Sequence, residues 1–232
     1  MTKVLLYSGG LDSWALAQIE QPEVLLHVDM ATRYGDVESD NLDVPKGVRG
    51  SLVVASLPLS QWERSDAIIP GRNAHLVLVA ANYADTILIG ATAGDRVHDK
   101  DPVFAERMNA LLQHMYSPQW WIPQGRTVRV ELPAKEWSKR ELVARYLAAG
   151  GDPETIATRT ISCYNATPEV LHCGRCKPCA RKWIALVCNN IEVPFDASEF
   201  VESTYVPLIR NGGWDRGYRE AHDVMTAMRK VR

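Results

Sequence analysis

No stretch of the 232-residue chain approaches the roughly 18 consecutive apolar side chains that a membrane-spanning helix needs. The apolar run after Lys3 reaches Ser8 and Gly9 within four residues, too short for the core of a signal peptide. The chain is therefore expected to be soluble and cytoplasmic. A large charge excess is also missing: 26 Lys and Arg stand against 28 Asp and Glu, a formal net charge of -2. That balance argues against a protein whose main task is coating nucleic acid, yet it leaves room for a small nucleotide ligand. Internal repeats and low-complexity segments are absent. So are two common phosphate signatures, the Walker A loop with its lysine and the G-x-G-x-x-G fingerprint. Cysteine is sparse, but four of the five cysteines crowd into residues 163–179. In an intracellular protein such crowding reads as metal ligands more readily than as disulfides.

Hydrophobic residues make up 46% of the chain, ample for a core. VLLY (4–7), EVLLHVDM (23–30), SLVVASLP (51–58) and TILIGAT (86–92) read as buried strands, and TVRVELP (127–133) as an edge or half-exposed strand. Between them, 11–19 has helical spacing and AHLVLVAANYA (74–84) reads as a buried helix. Asp101 and Pro102 open an amphipathic helix over 101–115. Ser138 and Glu141 form a capping box at the head of another, which ends at glycine. This alternation predicts an α/β fold, a Rossmann-like, mainly parallel sheet with helices on both faces, over 1–150. From 151 the character changes to a cysteine cluster, a helix near 180–190 and an aromatic tail, so 151–232 is expected to be a smaller, metal-binding helical module.

YSGGLDS (7–13) falls where the first strand would hand over to the first helix. Glycine there permits unusual backbone angles and close approach of a ligand. The helix N-terminus supplies amide N–H groups and a favourable dipole for an anion. Ser8 and Ser13 add hydroxyls, so phosphate or pyrophosphate is the expected ligand. Asp12 would oppose a phosphate unless a cation, such as Mg²⁺, stood between them.

Cys163, Cys173, Cys176 and Cys179 have the spacing C-x(9)-C-x-x-C-x-x-C. Four thiolates complete a closed tetrahedral zinc site that folds a module without activating water. An iron–sulfur cluster or unligated redox thiols would also accept this spacing. Cys188, in WIALVC, reads as a buried core thiol.

The S-G-G-L-D-S string resembles the pyrophosphate-binding (PP) loop of the ATP pyrophosphatase group, whose members activate a carbonyl or carboxyl oxygen with ATP for attack by nitrogen or sulfur. Together with S-C-Y-x(9)-C-G-x-C-x-x-C, with IIPGRNAHLVLVAANYADTILIGA (68–91), with PVFAERMNALL (102–112) and with SKRELV (138–143), the chain resembles the 7-cyano-7-deazaguanine synthase family, QueC. The resemblance implies ATP-dependent conversion of 7-carboxy-7-deazaguanine and ammonia to the nitrile, a structural zinc and a homodimer. It also implies no direct contact with nucleic acid. Ser8, Gly9, Gly10, Leu11, Asp12 and Ser13, with Tyr7 before them, would hold the ATP, and Cys163, Cys173, Cys176 and Cys179 the zinc. Asp12, Ser13, Arg72 and Asp95 are the catalytic candidates. Arg72 is suited to neutralising a phosphate or the substrate carboxylate. Asn73 is either a site residue or a helix cap, and Asp29 stands where ATP or Mg²⁺ could reach it.

Two loops depart from the family pattern. HVDMATRYGDVES replaces the aromatic-Asp-Tyr-Gly-Gln type of segment, and GDRVHDKDP (94–102) replaces a Tyr-Pro-Asp type of signature. His98 and Asp99 lie in the second, as substrate contacts or as an exposed polar loop. Trp62, Trp120, Trp121 and Trp137 read as core or interface residues before base-stacking ones. The basic end MRKVR reads equally as a solvated helix end or an anion site. Two other readings remain: an ATP-dependent ligase or amidase acting on a related acid, and a non-catalytic zinc-ribbon module that binds nucleic acid.

Overall fold

The computed structural model describes residues 2–33 and 35–231; Met1, Tyr34 in the first divergent loop and Arg232 in the basic end lie outside the described residues. Strand β1 (Lys3–Leu6) is followed by helix α1 (Leu11–Glu20), β2 (Val24–Asp29), the short α2 (Gly35–Asp40) and β3 (Ser51–Ser56). Helix α3 (Arg72–Ala80), β4 (Thr86–Leu88), α4 (Pro102–Met115), β5 (Arg129–Glu131) and α5 (Lys139–Ala148) complete the alternation. All five strands are parallel, in the order β3-β2-β1-β4-β5. The chain winds outward from β1 to β3, then returns to β1 and winds the other way. The carboxyl end of β1 is thus the switch point of the sheet, where open α/β sheets bind ligands.

Successive strand residues face opposite sides, and each side carries its own core. Leu5, Leu25 and Leu88 pack with Trp14, Leu142 and Tyr146 of α1 and α5. Val4, Leu26, Ile87 and Ile89 pack with Val77 and Ala80 of α3 and Met108 and Leu112 of α4. The expected doubly covered sheet is therefore present. Asp101 caps α4 by accepting from the Phe104 N–H at 2.8 Å, and the Ser138–Glu141 capping box opens α5.

Two burial expectations are corrected. SLVVASLP forms an edge strand, with Leu52 and Val54 exposed, because the winding leaves β3 outermost. The 74–84 run is only half-buried: α3 lies on one sheet face and turns His75 and Leu78 to solvent. An apolar run does not record which side of it faces out.

Beyond 150, α6 (Pro153–Arg159) and α7 (Lys177–Cys188) add Ile156, Ala157, Ala185 and Leu186 to the α1/α5 core. The segments α8 (Ser198–Phe200), a π-turn over Val201–Tyr205, α9 (Val206–Arg210) and α10 (Gly217–Lys230) form a third core with the opposite side of α7. No helix among the described residues is long and apolar enough to cross a membrane.

Candidate functional site

A cavity of about 580 Å³ opens at the switch point. Its floor is the glycine loop, and the two glycines act differently. Gly9 is buried with φ +69°, a conformation that L side chains rarely adopt. Gly10 is the N-cap of α1, and a Cβ there would stand 3.2 Å from the Ile161 carbonyl oxygen. No side chain caps α1, so the N-terminal amides of Leu11, Asp12 and Ser13, which line the cavity, are available to an anion. Ser13 spends its hydroxyl within the loop, donating to the Gly10 carbonyl at 3.1 Å and accepting from the Ser8 N–H at 3.3 Å. It shapes the turn.

One wall is cationic. Lys139, the first residue of α5, contacts both carboxylate oxygens of Asp12. The cation called for beside Asp12 is thus partly supplied by the chain itself. Burial lowers the Lys139 pKa against the opposing pull of Asp12. Nothing local in SKRELV marks Lys139 as a site residue, since its partner lies 127 positions away. Arg181, on α7, was also missed. It reaches Asp95 Oδ1 at 2.8 Å, Thr92 Oγ1 at 3.2 Å and Glu220 Oε1 of α10 at 2.6 Å. Asp95 also accepts from Lys100 Nζ at 2.8 Å and the Thr92 N–H at 3.0 Å. Burial pushes the Asp95 carboxyl up, but Lys100, Arg181 and Lys139 outweigh it and hold it well below the usual carboxylate range. With both oxygens engaged, Asp95 anchors cations at the cavity wall.

The opposite end is formed by α2 and α3. Arg72 and Asn73 line it, together with Glu38, which the sequence did not single out. Gly71, not Asn73, is the N-cap of α3. Asn73 is only 5% exposed, and its Nδ2 has no hydrogen-bond partner among the described residues. Burial pushes the Glu38 carboxyl up to about 7, with the Arg72 charge pulling it back.

Several candidates lie elsewhere. Asp29 does not line the cavity; its Oδ1 accepts from the Ala31 N–H at 2.8 Å and shapes the turn after β2. Tyr7 does line it, but its hydroxyl donates to the Asp43 carbonyl at 2.5 Å, and burial raises its pKa. His98 is fully exposed, and Asp99 accepts from the Asn73 N–H at 3.3 Å, so both act outside the cavity. None of Trp62, Trp120, Trp121 and Trp137 lines it; Trp137 packs under the Arg145 guanidinium at 4.3 Å.

The Sγ atoms of Cys163, Cys173, Cys176 and Cys179 lie within 4.8 Å of one another. Cys163 and Cys176 are 3.9 Å apart, close to the about 3.8 Å that tetrahedral Zn–S bonds of about 2.3 Å require. The backbone N–H groups of Asn165 and Arg175 donate to Cys163 at 3.3 Å and Cys173 at 3.4 Å. Such bonds orient thiolate ligands and offset their charge. The donor set fits a structural zinc with no open position. Gly174 has φ +68°, and a Cβ there would lie 2.1 Å from the Asp196 carbonyl oxygen. Cys163 also lines the cavity, so the cage buttresses its wall. Cys188 stands apart, donating to the Asp223 carbonyl at 3.3 Å.

Comparison with known proteins agrees with this geometry. The family model for queuosine biosynthesis protein QueC matches residues 47–190, a span that holds the PGRN turn, Lys139, Arg181 and all four cage cysteines. The chain is 26% identical over 223 residues to a 7-cyano-7-deazaguanine synthase of Marinobacter nauticus, covering 82% of this chain and 95% of that one. Synthases of the same name from Psychromonas ingrahamii and Rickettsia africae are 23% and 24% identical, covering 82% and 73% of this chain and 95% and 72% of theirs.

Proposed function

The chain belongs to the QueC family of queuosine biosynthesis proteins, and from that premise we propose that it converts 7-carboxy-7-deazaguanine, ammonia and ATP into 7-cyano-7-deazaguanine. The observation that carries the reading is the uncapped α1 terminus and its glycine loop, opening beside Lys139 and Arg181 into one cavity. A carboxylate is a poor electrophile. Its oxygen attacks a phosphorus of ATP and expels the remaining phosphate-bearing group. Ammonia then adds to the activated carbonyl carbon, loses a proton to solvent and displaces the phosphorylated oxygen, leaving an amide. A second ATP activates the amide oxygen. Departure of that oxygen with its phosphate, and of two N–H protons, leaves the nitrile.

Negative charge accumulates on phosphate oxygens at each activation. The α1 amides and the charges of Lys139 and Arg181 lie where they stabilise it in a partly enclosed, low-dielectric site. Mg²⁺ carried with ATP would draw on Asp12 and supply further charge neutralisation. The zinc would hold the 163–179 segment against the cavity wall and take no part in the chemistry. We place the enzyme in the cytoplasm, as a homodimer.

The test is incubation of the protein with 7-carboxy-7-deazaguanine, ammonium and Mg-ATP, with mass spectrometry of the products. The expected product is the nitrile, with the amide appearing first. ATP binding without nitrile or amide would overturn the reading in favour of a ligase for a related acid.

A further inference from the structure

The cavity is electrostatically divided. Asp12, Lys139, Asp95 and Arg181 act on one another at the glycine-loop end, whereas Arg72 is the charge that acts on Glu38 at the α2–α3 end. There the Glu38 carboxylate lines the cavity with no hydrogen-bond or ion-pair partner among the described residues. On the same lining, the buried Asn73 Nδ2 is an unused donor. Val28, Met30, Ile68 and Leu76 supply apolar lining, suited to a flat ring.

The Asn73 amide is buried and unpartnered, which is costly unless a ligand completes it, and the half-buried Glu38 carboxylate on the same lining keeps its acceptors free. The ligand that completes these two must present donors to a carboxylate and an acceptor to an amide N–H. A guanine-type ring does so on one edge, with its N1–H and 2-amino group side by side and its carbonyl oxygen next to them. Adenine does not, because its ring N1 acceptor would face the carboxylate. Resting on the nitrile-forming reading, we infer that Glu38 accepts from the N1–H and 2-amino group of the deazaguanine while Asn73 donates to the adjacent carbonyl, so that the α2–α3 end selects the base. The 7-carboxylate is carried by the five-membered ring, beyond the carbonyl and on the side away from the 2-amino group. Gripping the amino edge here therefore directs the carboxylate toward Lys139 and Arg181, where activation takes place.

The test measures binding of 7-carboxy-7-deazaguanine and of its counterpart lacking the 2-amino group, by calorimetry on the full chain without ammonia. The unmodified protein should prefer the amino form by roughly 10- to 100-fold, the worth of one bidentate base contact. Glu38→Gln sets an N–H₂ against the ligand donors and should compress that preference to about threefold or less, leaving ATP affinity within about twofold. An unchanged preference in Glu38→Gln, or a loss that falls on ATP instead, would overturn the assignment while the nitrile reading stood. Failure of the unmodified protein to bind either base, with ATP still bound, would overturn both. Should Glu38→Gln not fold, an N1-methyl base tested on the unmodified chain decides the matter: the assignment requires roughly tenfold or greater weakening, and equal binding overturns it.

Discussion

Lys139 illustrates how much at this site depends on single residues. It is half-buried, it neutralises Asp12, and it lines the cavity beside the α1 terminus. Lys139→Met should lower kcat/KM by about 10²- to 10³-fold, the usual loss when one charge-stabilising group is removed. Circular dichroism should show an intact fold, because the methionine stem fills the same space. Glu38 gives a prediction of different sign. Its folded pKa of about 7 lies above its ordinary value of 4.5, so the fold prefers the protonated acid. The stability this confers is complete below about pH 4.5 and is lost as pH rises through 7. Urea titrations should therefore find Glu38→Gln more stable than the unmodified chain at pH 8, by up to about 3 kcal/mol, and equal to it at pH 4. Asp95 runs oppositely. Its lowered pKa stabilises the fold above the ordinary carboxylate range, and that contribution is lost in acid.

At the scale of elements, helices with strong local signals matched their reading closely. The Asp101 cap and the Ser138–Glu141 box lie where the sequence puts them, since each is made by residues three apart. The edge position of β3 and the half-exposed α3 were invisible to that reasoning, because exposure depends on which element lies alongside. The packing of α10 on the cavity wall is of the same kind. A Cβ on Gly94 would come within 2.0 Å of the Glu220 carboxyl, which is itself pinned by Arg181. Gly94→Ala should therefore displace Glu220 and cost about 1–3 kcal/mol in thermal unfolding, the usual penalty of overpacking. Gly94→Ala combined with Glu220→Ala should recover less than the full loss, because the Arg181 ion pair stays broken.

At the scale of the whole molecule, the cysteine cage and the switch-point cavity share a wall through Cys163. Metal binding and folding of the 163–179 segment are then one equilibrium. Cys176→Ser should reduce bound zinc below one per chain by elemental analysis. It should also lower the melting temperature by about 10 °C or more, since a few kcal/mol correspond to that shift in a chain of this size. ATP affinity should fall with it. Full retention of melting temperature and ATP binding in a zinc-free protein would contradict a structural cage.

The sequence alone determined those features whose physics is local in the chain. Alternating apolar runs of strand and helix length dictate a parallel α/β sheet. Two glycines and two serines between a strand and a helix dictate a tight turn at an uncapped helix terminus, and thiols three positions apart gather into a cage. Tertiary structure decided the electrostatics. Lys139 meets Asp12 across 127 residues, and Arg181 meets Asp95 across 86. Glu38 faces Arg72 from a separate helix. Charges in a partly enclosed cavity act through space, and their pairing follows from how the sheet is wound.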